Sequence, residues 1–392
     1  MAANELSINQ VSVLLNAIVS QATGKANLAT IDANNFSTVA QLPLKIGYDN
    51  VINAISQVMT RTIFSVRPYS RKFSGINVSE QKFGNITRKL NISDSDWSDD
   101  DRIKLEDGQS VDMYVVKKPS VLQTNFYGAN AYQRMTTIFK DQLDTAFTNA
   151  DEFGRFISMI MSNVSDMIEQ AHEDMARTCI LNYIGGKLSA TSEVDNRIHL
   201  MTEYNELTGL TLNENDIYKP ENFPSFMKFA MARIKSISSL MTERSLKFHT
   251  NVTGKEVMRH TPRNKQKVYI LAPQQYLMET SVLSDLFNDS YMKLTDVELV
   301  NYWQSINKPM DIDIKPIYMD TNGSLKQPTS SIKEPHVFGC IFDEEALGYT
   351  TVNKWSAATP FNARGGYHNI FWHFTDRYWN DFTENGIVLL LD

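Results

Sequence analysis

The chain has 392 residues, 42% of them hydrophobic and 10% aromatic, which is enough apolar surface for a large core spread over two or three lobes. Charged residues make up 21% and the formal net charge is −7, which excludes a disordered polyelectrolyte and a protein that grips duplex DNA through a basic face. Cys179 and Cys340 lie far apart with no Cys-x-x-Cys, Met1 to Leu6 lacks the basic and apolar regions of a signal peptide, and no apolar run approaches the ~18 residues of a membrane span.

Residues 1–50 are small and polar and read as an N-terminal arm, with one short apolar stretch, Val11 to Val19, able to form a helix. Residues 51–64 form a short helix, since Ile52, Ile55, Val58, Met59 and Ile63 fall at helical spacing. Residues 65–125 change character and read as an extended β-loop, with strand-like pieces at Gly84 to Ile92 and Val111 to Val116. Between them lies an acidic run, Asp94-Ser95-Asp96-Trp97-Ser98-Asp99-Asp100-Asp101. An isolated hairpin of that size is marginal in water, so another surface must support it.

Residues 126–265 read as a lobe dominated by one helix at about 151–184. There Phe153, Phe156, Ile157, Ile160, Val164, Ile168 and Cys179 step by three and four, and Gly185-Gly186 supplies a stop. At ~1.5 Å per residue this helix is about 50 Å long, longer than a small domain, so it must join lobes. After a polar connection over 187–222, a second helix over roughly 222–240 opens with Pro224 in its first turn. Residues 266–365 read as α/β: an apolar strand from Val268, a helix from Pro273, and strands at about 297–303, 312–319, 337–342 and 348–352. Residues 366–392 are aromatic and close on Ile387-Val388-Leu389-Leu390-Leu391, a strand buried by composition that must return to a sheet formed earlier.

Little of this carries catalytic chemistry. Asp94, Asp96, Ser98 and Asp100 alternate as in a calcium loop, but the sixth position is Asp99 where glycine is needed and the twelfth is Leu105 where glutamate is needed. A solvated acidic tip that meets basic residues of another subunit is the better reading. His368 and His373 sit five apart on a strand and face opposite sides, so they are poor co-ligands for a metal. Gly365-Gly366 lacks the lysine and the strand–loop–helix context of a phosphate loop and reads as a turn. Neither a catalytic residue nor a cofactor or metal is assigned.

The segment Asn362-Ala363-Arg364-Gly365-Gly366-Tyr367-His368-Asn369-Ile370-Phe371-Trp372-His373 resembles the C-terminal region of major capsid proteins of small podoviruses of the phi-twenty-nine group, in its Asn-x-Arg-Gly-x-Tyr-x-Asn-x-x-x-His pattern. The order of parts (arm, β-loop, long spine helix, α/β lobe, returning strands) is similar to the Hong-Kong-97-type capsid fold of tailed phages. The resemblance implies an α+β structural protein, with 126–265 as the peripheral domain, 266–365 as the central (axial) domain and 366–392 returning to the peripheral domain. It implies a shell tile that associates with itself as pentamers and hexamers of an icosahedral head. Portal, scaffolding and head fibre or decoration proteins would be further partners, genomic DNA would be contacted without sequence reading, and assembly would take place in the bacterial cytoplasm with no membrane involved. A mildly acidic wall suits such a container, because it does not condense the DNA beside it. The expected subunit-interface residues are Arg71, Lys72, Arg88, Lys89, Asp94, Asp96, Trp97 and Asp100 of the β-loop, with Arg364 and Tyr367 of the motif. The alternative is another virion part, a tail or connector protein.

Overall fold

The computed structural model describes residues 8–24, 36, 39–40, 48–61, 73–76, 86–92, 100–116, 118, 120–127, 129–148, 150–190, 196–283 and 297–392. Its axis is a helix of 40 residues, α5 (Ala150–Ser189), about 60 Å long at 1.5 Å per residue. The two halves of this helix bury different stripes in different cores.

The first half presents Phe153, Phe156, Ile157, Ile160 and Val164 to a cluster built from the N-terminal helices and one sheet. Helix α1 (Ile8–Thr23) contributes Val11, Leu14, Leu15, Ile18 and Val19, spaced by three and four so that they form one stripe. Helix α2 (Tyr48–Arg61) adds Val51, Ile52 and Ile55. The expected arm is therefore, over α1, a core helix. Its apolar stretch is long enough to nucleate packing against α5, and the polar residues around it mask that in a composition count. The sheet in this core is antiparallel, in the order β12 (Leu347–Ala358), β13 (Tyr367–Asn380), β3 (Asn130–Phe139).

The second half of α5 presents Ala176, Cys179, Ile180, Tyr183, Ile184 and Leu188 to one face of a five-stranded sheet. Its order is β4 (Arg197–His199), β14 (Gly386–Leu390), β11 (Val337–Asp343), β5 (Gln266–Leu271), β6 (Val297–Val300). The opposite face is covered by α6 (Leu200–Thr208) and α8 (Phe223–Leu240). Strand alternation explains why these strands are apolar at every position: Val388 and Leu390 enter the α5 core, while Ile387, Leu389 and Leu391 enter the other. In β11 the alternation slips, with Val337 and Cys340 on the α5 side and Phe338 and Ile341 on the other. The slip falls at a bulge between Val337 and Gly339, where an added residue turns the strand over. Gly339 lies so close to the neighbouring strand that a Cβ there would stand 2.7 Å from the Tyr269 carbonyl oxygen.

The structure corrects three expectations. First, the glycine pair does not end the long helix, which runs on to Ser189. A Cβ on Gly185 would stand 3.1 Å from Ile314 and Pro316, and one on Gly186 only 2.4 Å from the Phe382 ring. The pair lets the helix pass close under the connection from β13 to β14, a packing role that sequence periodicity cannot distinguish from a stop. Second, Val111 to Val116 is not a strand. Segment β1 (Ile86–Ile92) pairs instead with β2 (Val121–Tyr127), because pairing depends on register with a partner and not on valine content alone. Third, the two final strands part company: β13 joins β3 beside the first half of α5, whereas β14 is inserted between β11 and β4. The connection over 187–222 also holds structure that its polarity hid, including α6, which ends on Gly209 at φ 71°.

A buried polar junction ties the first core together. Asp376 of β13, fully buried, accepts the Tyr132 hydroxyl of β3 at 2.5 Å and lies 3.5 Å from His172 Nε2 of α5. Burial alone would raise the Asp376 carboxyl, but the bonds from His172 and Tyr132 outweigh it and hold the group below the usual carboxylate value.

Gly186→Ala tests the close approach. Helix propensity favours alanine by about 1 kcal/mol, whereas overpacking costs about 1–3 kcal/mol. The Phe382 ring is held by stacking on Tyr183, at 5.4 Å and 11°. A net loss of up to about 2 kcal/mol is expected in denaturant unfolding of the unassembled subunit. Unchanged or increased stability would show that Phe382 can move aside.

Candidate assembly surface

The β1–β2 hairpin projects from the body with one face inward and one to solvent. Its register runs from Ile86 opposite Tyr127 to Ile92 opposite Val121. Strand alternation turns Lys89 and Asn91 of β1, with Leu122, Thr124 and Phe126 of β2, toward the body, and leaves Arg88, Leu90, Ile92 and Tyr127 outside.

The inward face is fastened by charge. Lys89 Nζ lies 2.5 Å from Glu384, 3.0 Å from Glu345 and 3.2 Å from Asp381. Arg259 completes the network: it pairs with Glu384 at 3.0 Å and donates to Asn91 Oδ1 and to the Thr383 carbonyl, both at 3.1 Å. Phe126 packs on Trp379 with ring centroids 6.2 Å apart. Burial alone would lower the Lys89 ammonium, yet Asp381 and Glu384 more than reverse this and raise it above its ordinary value. Glu384 is itself raised, because its burial outweighs what Lys89 and Arg259 return. Such a network adds little net stability but fixes geometry, and it punishes the loss of one partner.

Beyond this root, residues 100–116 carry apolar side chains in water. Ile103 is 85% exposed, Met113 81% and Tyr114 82%, with Val115 and Val116 also exposed. A short helix, α3 (Asp101–Lys104), begins there. Asp100 caps it by accepting the Arg102 backbone N–H at 3.0 Å, and the Arg102 side chain beside it holds the carboxyl below its usual range.

The motif near the C-terminus is a hairpin turn between β12 and β13. The Asn362 side chain accepts the backbone N–H groups of Arg364 at 3.1 Å and Gly365 at 2.9 Å. Gly366 donates to the Asn362 carbonyl at 2.8 Å and adopts φ +66°, where glycine pays no Cβ penalty. Tyr367 packs edge-on against Phe139, and its hydroxyl accepts from the Asn362 amide at 3.2 Å. Asn369 accepts the Thr137 hydroxyl of β3 at 2.7 Å, and His373 stacks on Trp355 at 3.8 Å. His368 is buried, while His373 lies half-buried on the other face of β13.

Of the expected interface residues, Arg71, Lys72, Asp94, Asp96 and Trp97 lie outside the described residues. Arg88 and Arg364 are exposed, and Asp100 and Tyr367 take part in the local caps and turns above. Lys89 is committed within its own chain. Its partners Glu345, Asp381 and Glu384, and Arg259, which shares Glu384 with it, went unrecognised in the sequence; the only signal was two acids in the five-residue connection leading into a buried strand.

A family model described as Phi29-like phage major capsid protein matches residues 15–390. Among solved structures, the capsid of Staphylococcus phage Andhra is similar with TM-score 0.53 at 9% identity, covering 84% of this chain and 87% of that chain. The structure of head fibre and inner core protein gp22 of bacteriophage P68 is similar with TM-score 0.54 at 12% identity, again covering 84% and 87%. Comparison with curated protein sequences found no match. The shared architecture is the Hong-Kong-97-type fold.

Two predictions follow from this geometry. Lys89→Ala leaves Asp381 without its lysine and Glu384 with Arg259 alone in a half-dry site and should cost about 3 kcal/mol, with faster amide exchange along residues 86–92; unchanged exchange would show that the hairpin root is held otherwise. A lysine raised in the folded state stabilises fully below its unfolded value, 10.5, and loses that contribution as pH rises through the folded value. The difference between wild type and Lys89→Ala should therefore shrink above about pH 10.5. Separately, Asn362→Ala removes three side-chain hydrogen bonds of the turn, two from backbone N–H groups and one to the Tyr367 hydroxyl, and should cost about 1 kcal/mol in thermal unfolding, whereas no shift would mean that Gly366 alone holds the hairpin.

Proposed function

The chain belongs to the Phi29-like phage major capsid protein family, and from that footing we propose that this major capsid protein closes its icosahedral shell as pentamers and hexamers whose tiles are strapped together by the β1–β2 hairpin. The observation that carries this reading is the contrast along the hairpin, with a root fixed by buried charge and a tip of exposed Ile103, Met113, Tyr114, Val115 and Val116. Apolar residues grouped on a projecting arm mark a surface that another molecule covers, and in a shell of identical tiles that molecule is the neighbouring copy. Arg88, Asp100, Arg364 and Tyr367, with Arg71, Lys72, Asp94, Asp96 and Trp97, supply polar contacts around it. Lys89 acts one step back, setting the angle at which the arm leaves the body.

A modest contact repeated around each tile suffices, because heterologous contacts close into rings when the rotation closes. With a net charge of −7, the wall holds DNA by volume and not by phosphate pairing. Portal and scaffolding proteins are the further partners. The similar P68 structure includes head fibre, and a head fibre or decoration protein is a partner of the same kind here. Assembly takes place in the bacterial cytoplasm, and no helix among the described residues is long and apolar enough to cross a membrane.

The test replaces Met113, Tyr114 and Val116 together by Asp, in co-expression with the phage's other head proteins. The wild-type chain should give closed icosahedral particles by negative-stain microscopy, and the variant soluble folded subunits without shells. Normal particles from the variant would sink the strap. A wild-type chain that forms only flat rings of fixed copy number would favour a tail or connector component.

A further inference from the structure

At one end of the five-stranded sheet, three adjacent strand ends bring ionisable side chains together. Strand β14 runs out to Asp392. Beside it, β4 ends on His199, whose register partner is Leu390. On the other side β11 begins just after His336, and the Leu391 N–H donates to the His336 carbonyl at 2.9 Å. Asp392 is fixed further by its backbone oxygen, which accepts from Met201 and Thr202 at the start of α6, at 3.2 and 3.3 Å. Glu334 closes the fourth side from β10 (Ile332–Glu334). One ligand atom each from Glu334, His336 and Asp392 falls within 4.8 Å of the others, and all three residues are half-buried.

Two features distinguish this group from a chance cluster of surface acids. Its imidazole is oriented from behind: His336 Nε2 lies 3.2 Å from Glu214 Oε2, while Nδ1 faces Glu334 Oε1 at 3.6 Å. A carboxylate behind one ring nitrogen makes that nitrogen the N–H donor and turns the other lone pair inward, the arrangement that tunes metal-binding histidines. Asp392 is held in the same way, with Oδ1 2.8 Å from His199 Nδ1.

We propose that Glu334, His336 and Asp392 form a binding site for a divalent transition metal, with Glu214 and His199 as its outer supports. One imidazole with two carboxylates suits Zn²⁺ and its neighbours better than the all-oxygen shells of Ca²⁺ or Mg²⁺. Ligand atoms around tetrahedral zinc stand about 3.4 Å apart, so the three side chains reach it by rotamer changes with the strands in place. A bound ion would pin the ends of β10 and β14 together beside the start of β11.

The test uses the full-length chain, stripped with chelator, dialysed and titrated with ZnCl₂ by calorimetry and by thermal melting. Wild type should take up one saturable equivalent, and its melting midpoint should rise by about 2 °C or more when Zn²⁺ is in large excess over Kd. His336→Ala and the isosteric Asp392→Asn should each weaken binding at least about 10-fold, and Glu214→Gln measurably, as loss of an outer support does. MgCl₂ should not reproduce the shift. Absence of saturable Zn²⁺ uptake by wild type overturns the assignment, as does equal uptake by His336→Ala and Asp392→Asn. Should His336→Ala fail to fold, Asp392→Asn still decides the question.

Discussion

The architecture depends on one constraint: a single helix about 60 Å long must bury two different apolar stripes in two cores at once. Its first half lies among α1, α2 and the three-stranded sheet, and its second half lies on the five-stranded sheet. The halves are mechanically continuous because nothing interrupts the helix, not even Gly185-Gly186. There the missing Cβ atoms let Phe382, Ile314 and Pro316 press against its backbone. Each lobe is thereby registered against the other, through Asp376, Tyr132 and His172 at one end and through Asn182 at the other. The Asn182 side chain bonds both backbone groups of Ile317 and the Asn380 side chain.

That rigidity gives the projecting hairpin a defined direction. Coulomb attraction and desolvation oppose each other at its root: Lys89 gains from Asp381 and Glu384, while Glu384 loses more by burial than it recovers. The net contribution to stability is small, and what remains is a fixed position, since removing either sign leaves the other stranded. Tip and root thus obey different physics. The root is charged, half-dry and satisfied within the chain. The tip is apolar and exposed to water, a state that favours burial against another surface.

The Asn-x-Arg-Gly-x-Tyr stretch illustrates how a recognisable motif can be structural. Asn362, Gly366 and Tyr367 make a turn, and Asn369 and His373 lock β13 to its neighbours. These residue types are demanded by hydrogen-bond geometry and by a positive φ, with no ligand involved. A hairpin between two strands as long as β12 and β13 fixes the register of the whole three-stranded sheet, so errors in the turn would propagate into the core around α5.

Much of this was legible in the residues. The stripe from Phe153 to Cys179 determined the long helix, Pro224 the start of the next, and the apolar run Ile387–Leu391 a strand that had to be buried, since local periodicity and composition encode those directly. The order of elements with the Asn362–His373 pattern pointed to the family. What the residues could not give is anything that depends on partners distant in the chain. A glycine pair reads alike as a stop and as a close approach until Phe382 stands against it. Lys89 reads as a free cation until Asp381 and Glu384 arrive from nearly 300 positions away. Val111–Val116 reads as a strand until Val121–Tyr127 takes the pairing. Sequence determines which surfaces must be buried because hydrophobicity is a property of each residue. Only the tertiary structure decides what buries them, because register and ion pairing are properties of two segments at once.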